Sequence, residues 1–293
     1  MRRIQTANVV FSLLFSLLVG ASLALVPSPM TAQGRGGGGG QRGGGRGVAA
    51  PVPIRRLPDG KPDLTGLYGA NSGGANYGLE QHAQDGLIPG TQGVVVDPPD
   101  KKLPYQPWAR AEFIDRLLPH RGYDDSTAHC FVAGVPRSMY TPSPYQILQP
   151  PGYVVLMFER MSWRQIPIDP NRKHLPDDVR LWQGDSIGHW EGDTLVVDTT
   201  NLNGKAWLNE RGDVLTYKAH IVERFTPVDG NTITYEAKVD DPGAYTAPWT
   251  IRMNLNRQMG EYDEILEVAC HEDNGDLEHL KDVRDEYRKA QKK

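Results

Sequence analysis

The sequence predicts a mainly β protein, an antiparallel meander that closes into a barrel, with a β-sandwich as the alternative. Three observations carry this. From Ser143 onward apolar residues recur with a period of two in short runs. Turn-forming Gly, Pro, Asp and Asn separate those runs. No long helical pattern intervenes, so neighbours in sequence pair as hairpins, and a sheet that curls onto itself removes its own exposed edges.

The elements follow in order. Arg2 and Arg3 precede an apolar run from Val9 to Leu25 and a small, turn-forming exit ending at Gln33. Residues 1–33 therefore read as a secretory signal peptide, cleaved after Ala24 or near Ala32, with an uncleaved anchor as the alternative. This predicts a periplasmic or extracellular protein, with no stable membrane insertion after cleavage. Residues 34–50 hold GRGGGGGQRGGGRG, a flexible Gly/Arg-rich linker that has no core to form. Residues 51–143 are rich in Gly, Pro, Asp and Asn and read as an irregular arm packed on the body. One helix is expected there, Pro107 to Leu118, with Ala111, Ile114 and Leu118 as its apolar stripe, Pro107 at its start and Pro119 beyond its end.

The body, 144–275, carries the strands: Tyr145–Leu148, Tyr153–Phe158, Trp163–Ile168, Arg180–Gln183, Ile187–Glu191 and Thr194–Thr200. Val214–Pro227, Thr232–Asp240, Trp249–Leu255 and Tyr262–Cys270 complete the series. Gly192-Asp193 and Asp229-Gly230 have the chemistry of tight hairpins with positive φ. Residues 276–293 place Leu277, Leu280, Val283 and Tyr287 at helical spacing, a charged surface helix.

Of the 293 residues, 39% are hydrophobic and two are cysteines, which excludes a polytopic membrane protein and a disulfide-dense mini-protein. The formal charge of −4 is a blend. Residues 1–49 hold five arginines and no acid, leaving 27 basic against 36 acidic residues and −9 for the rest. A body this acidic argues against a nucleic-acid partner.

Strand alternation picks out the candidate site. The file Leu215, Tyr217, Ala219, Ile221, Glu223, Phe225 is the inward one, and Glu223 is its single ionisable member. A buried carboxylate must be paired, protonated or working. Tyr235 lies inward on the next strand, Glu264 shares a file with Leu266, Val268 and Cys270, and Arg164 alternates with Ile166 and Ile168. An internal salt bridge from each acid to an arginine such as Arg164 or Arg252 is the structural reading. The functional reading is a small-molecule or oligosaccharide-like ligand held by Arg164, Glu223, Glu264, Trp163 and Tyr235. Trp163, Trp182, Trp190, Trp207 and Trp249 read as core packing or as the lining of such a pocket. In the enzymatic alternative, an extracytoplasmic hydrolase or lyase, Glu223 is the general acid or base and Asp198 or His220 assists. No metal site and no cofactor is expected, since His189, His220 and His271 show no ligand spacing and no dinucleotide or phosphate-loop fingerprint occurs. Ser138 and Ser186 lack a nucleophile elbow. Cys130 and Cys270 are expected to form a disulfide, with two buried thiols as the alternative.

Several phrases carry a resemblance: PDGKPDLTGLY (58–68), HCFVAGVPR (129–137), GDSIGHWEGDTLVVDTTNL (184–202), ERFTPVDG (223–230) and DDPGAYTAPW (240–249). They resemble a family of exported bacterial proteins of no assigned function. The resemblance implies export and a β-rich body and brings no catalytic residues. Gly188-x-Trp190 is also similar to the Gly-x-Trp signature of lipocalin-like barrels, but it lies mid-meander and not on a first strand, so it implies a lipocalin-like barrel form alone.

Overall fold

The computed structural model describes residues 51–86, 88–160, 162–258, 264–272 and 274–292. The signal peptide and linker expected at 1–50 lie outside the described residues, as do parts of the strand expected at Tyr262–Cys270.

Among the described residues ten strands form: β1 (Gly66–Asn71), β2 (Val95–Asp97), β3 (Tyr145–Leu148), β4 (Tyr153–Phe158), β5 (Ser162–Pro167), β6 (Asp185–Glu191), β7 (Thr194–Thr200), β8 (His220–Pro227), β9 (Thr232–Asp240) and β10 (Trp249–Arg257). They pair in the order β5-β4-β3-β1-β10-β9-β8-β7-β6, with β2 beside β10. This is an up-and-down barrel of nine strands in which the first strand closes the ring against the last. Every ladder is antiparallel. An odd number of strands alternating in direction leaves one junction parallel, and here it falls between β5 and β6. No ladder forms across it, only a single parallel bridge from Ile168 to Gly188. The barrel, rather than the sandwich, is the fold, and it is nearly closed.

Alternation builds the core. Ile147, Leu156, Ile166, Val197, Ile221, Phe225, Ile251 and Leu255 project inward, each at most 1% exposed. Burial of each such side chain contributes about 1.5–3 kcal/mol. Gly188 is required inside, because a Cβ there would meet Ile168 and Ile166 across the β5–β6 junction.

Several expectations are corrected. The arm is not merely wrapped on the body, since β1 and β2 share one edge of β10 and β1 completes the ring. Leu215, Tyr217 and Ala219 are not in a strand. Asp241 holds Thr216 from across the chain, accepting from its N at 2.7 Å and its Oγ1 at 2.6 Å, and a turn closed by Ala219 N donating to Thr216 O at 3.2 Å delays β8 to His220 and leaves Tyr217 exposed. Arg180–Gln183 contributes one bridge, Leu181 to Leu202, and no strand. Residues 264–270 are irregular, because both edges of β10 are already taken by β9 and by β1 with β2. The β8–β9 hairpin forms, but Gly230 lacks positive φ. It is glycine because a Cβ would strike Pro53 O, and its N–H donates to Val52 O at 2.7 Å.

Helix α1 (Pro107–Arg116) begins on Pro107 as expected. Its inward side is Ala109, with Phe113 stacked on Tyr105 at 5.6 Å, while Ile114 and Leu118 of the expected stripe are exposed. Helix α2 (Gly275–Ala290), capped by Asn274 accepting from Leu277 N at 3.3 Å, buries no residue and rests on the 3₁₀ turn Pro119–Asp124, where Tyr287 stacks on His120. Cys130 and Cys270 are disulfide-bonded. No helix of the described residues is long and apolar enough to cross a membrane.

Candidate functional site

Three groups of polar side chains emerge, one inside the barrel, one on its outer face and one at its mouth. Inside, β5 and β8 point Arg164 and Glu223 at each other, as alternation requires. Arg164 Nη1 donates to Glu223 Oε1 at 3.0 Å and Nη2 to Oε2. The same guanidinium donates through Nε to Ser186 Oγ at 2.9 Å and through Nη2 to Thr199 Oγ1 at 2.7 Å. Tyr235 OH donates to Glu223 Oε1 at 2.8 Å, and burial, followed by the Glu223 charge, holds its phenol well above the ordinary tyrosine range. Glu223 is 0% and Arg164 3% exposed. The pair is bidentate, with both carboxylate oxygens engaged and both side chains shut away from solvent, which is the geometry of a structural ion pair.

The other expected members do not join it. Glu264 is exposed and lines an outer cleft with Glu159, Gln258 and Leu266. Trp163 lies on the outer face of β5, 70% exposed, opposite Met157. Asp198 pairs with Val222 in the β7–β8 register, so it points outward while Glu223 points in, and neither it nor His220 can assist Glu223. Of the tryptophans, Trp207 and Trp249 are core and Trp182 and Trp190 half-buried.

Asp198 and His220 do find each other. His220 Nε2 lies 2.8 Å from Asp198 Oδ2, and His174, unforeseen in the sequence, bridges Asp198 Oδ1 at 2.9 Å and Asp185 Oδ2 at 3.0 Å. Arg172 completes the chain on Asp185, at 2.7 Å and 3.1 Å. The hydrogen bond to Asp198 raises the His220 pKa above that of a free imidazole, and the His220 bond in turn lowers Asp198. Asp185 is also lowered, the Arg172 and His174 bonds overcoming the opposing effect of burial. His174 sits in the connection between β5 and β6, so this chain ties that connection across β6, β7 and β8. Among the described residues no group of His, Cys, Asp and Glu has metal-binding geometry.

At the mouth, the 3₁₀ turns Ser126–His129 and Arg137–Met139 lie over the ring end marked by the β4–β5 hairpin. Val135, Met139 and Tyr140 enter the core cluster, and Tyr140 OH donates to Leu208 O at 2.8 Å. Arg137, 2% exposed, anchors this cap. It binds Asp125 through Nη1 at 2.9 Å and Nη2 at 2.8 Å and Asn76 through Nε at 3.3 Å. Burial lowers the Arg137 pKa, but the Asp125 carboxylate more than offsets it, and the guanidinium is held above its ordinary range. Cap and hairpin leave a cleft of about 60 Å³ lined by Ser138, Thr141, Arg160, Glu210 and Phe131, beside the disulfide. Ser138 Oγ has no hydrogen-bond partner among the described residues, and Arg160 has only Ser143 Oγ at 3.2 Å. Glu210 is an exposed residue whose carboxyl is recessed onto Asn76 Nδ2 at 2.7 Å. Desolvation holds that carboxyl above the usual carboxylate range. Phe131, 54% exposed, stacks on Trp182 at 4.9 Å at the lip.

The class this defines is a nearly closed nine-stranded up-and-down barrel with a capped mouth. No protein-family model, curated protein or solved structure matches the chain.

Proposed function

We propose that this is an extracytoplasmic binding protein that takes the end of a polar, sugar-like ligand at the barrel mouth. The observation that carries the reading is a contrast in saturation. The interior pair Arg164–Glu223 is held to itself and to Tyr235, Ser186 and Thr199 and is almost wholly buried, whereas the mouth cleft gathers Ser138, Arg160 and Glu210 with few partners, beside the exposed ring of Phe131. Polar groups converging next to an aromatic face suit hydroxyl-rich rings. A volume of about 60 Å³ admits a terminus and not a whole oligomer. The export signal read at residues 1–33, the disulfide and the resemblance of residues 184–202 to exported bacterial proteins support the setting.

The test is titration calorimetry of the full chain with maltotetraose, cellotetraose and chitotetraose. One of them is expected to bind saturably, and Phe131→Ala should weaken it about tenfold or more without lowering Tm. Absence of saturable binding, or binding indifferent to Phe131→Ala, overturns the reading.

The hydrolase or lyase reading survives in altered form. Its acid is Glu210 and not Glu223, because a carboxyl that desolvation raises above its ordinary range and that lines the cleft is placed to donate a proton to a leaving group. Product release from the bound tetrasaccharide, lost in Glu210→Gln while binding persists, would establish it.

A further inference from the structure

Away from the mouth cleft, α1 and residues 78–82 enclose a second cleft of about 160 Å³. Its floor is Asp213, 3% exposed, which accepts from the Tyr105 hydroxyl and from the Asn209 amide. Asp213 makes no ion pair among the described residues, and burial holds its pKa above the ordinary carboxylate range. One wall carries Arg110, whose guanidinium lies over the rings of Tyr105 and Phe113 at 5.8 and 5.3 Å and has no carboxylate partner among the described residues. Facing the same space, Arg211 reaches the exposed Asp85 and His82 Nδ1, each at the long distance of 3.4 Å. Glu80, the remaining acid of the lining, is already engaged by Lys102 Nζ at 2.9 Å and Leu103 N at 2.7 Å.

We propose that this cleft binds a small hydroxylated carboxylate of the sugar-acid class, with the carboxylate between Arg110 and Arg211 and its hydroxyls on the Asp213–Tyr105 pair. Arg110 has no carboxylate partner among the described residues and Arg211 only the exposed Asp85 at 3.4 Å, so both guanidiniums keep donors for a ligand carboxylate, and the rings of Tyr105 and Phe113 pre-orient Arg110, so little side-chain freedom is lost on binding. A floor of carboxyl and phenol, desolvated and without a cation, accepts hydroxyl groups and rejects a second ionic group. This site is separate from the mouth cleft, and Arg110 belongs to none of the groups that line it.

The experiment is calorimetry of the full chain with glucuronate, and with glucose, acetate and inorganic phosphate as comparators. Glucuronate is expected to bind saturably, with glucose and acetate weaker by about tenfold or more. Arg110→Ala and Arg211→Ala should each lower the glucuronate association constant by about tenfold, and Arg110→Ala, at an exposed position, should keep the wild-type Tm. Absence of saturable glucuronate binding overturns the proposal. So does acetate or phosphate binding as tightly as glucuronate, which would mark a plain anion patch, or an Arg110→Ala variant with unchanged affinity.

Discussion

Replacing Glu223 by Gln should destabilise the barrel far more than a surface change would. The substitution keeps shape and volume, so the loss comes from leaving the Arg164 guanidinium, 3% exposed, without its counter-charge. Removing one partner of a buried pair costs about 3–5 kcal/mol. Ser186 Oγ and Thr199 Oγ1 remain as neutral partners of the guanidinium and keep the figure at the lower end of that range, about 3 kcal/mol. For a folded body of this size that is a fall in Tm of about 6–12 °C. Equilibrium urea unfolding of wild type, Glu223→Gln, Arg164→Met and the double variant gives the cycle. The double variant should lose less than the sum of the single losses, by a coupling of about 0.5–3 kcal/mol, because it no longer buries a lone charge. A Glu223→Gln loss below about 1 kcal/mol, or strict additivity, would refute the account of a sealed structural pair. Loss of tetrasaccharide binding at unchanged stability would refute it too, and would return the interior to functional candidacy.

Two further outcomes are expected. The Cys130–Cys270 bond spans 140 residues, and the chain-entropy relation for such a loop gives a stabilisation of about 5 kcal/mol; unfolded protein should show no titratable thiol until reductant is added, and Cys270→Ser should shift the urea midpoint down accordingly. The Asp198–His220 contact predicts a pH window. The raised His220 pKa contributes stability that is full below the unfolded value of about 6.5 and is lost as pH rises through the folded value, whereas the lowered Asp198 contributes above about 3.9 and loses its share as pH falls through its folded value. Histidine NMR titrations should show the His220 midpoint drop toward the free-imidazole value in Asp198→Asn; an unchanged midpoint would remove Asp198 as its cause.

What was legible in the sequence followed from periodicity. Strands β3, β4, β7 and β9 fall on the expected residues, because one file of each is core and the other is not. That Glu223 needs an internal arginine was legible for the same reason, since an ionisable group on an inward file needs a counter-charge; the sequence left Arg164 and Arg252 both open, and Arg252 lies exposed with Glu236 instead. Strand β1 was hidden by its own composition. Gly66 and Gly69 carry no side chain because Arg257 and Gln258 occupy the space where their Cβ atoms would lie, so a ring strand read as loop. Glu264 and Tyr217 failed in the opposite sense. Their alternation is genuine in sequence, but a fully occupied β10 and the Thr216–Ala219 turn take those residues out of the sheet. Phe131, Glu210, Arg137 and His174 lie in segments without period, where proximity depends on the path of the chain, and no spacing announces them.

The parallel junction between β5 and β6 makes the barrel two half-rings. Residues 66–167 supply β1 to β5, residues 185–257 supply β6 to β10, and the ladders joining the halves are those that β1 and β2 make with β10. A protease cut within residues 169–184 would sever the polypeptide without interrupting one ladder. Because Cys130 belongs to the first half and Cys270 follows the second, the cut molecule would run as a single species until reduced and as two fragments afterwards. The same arrangement makes the protein a natural subject for fragment complementation, with its division point already built into the direction of its strands.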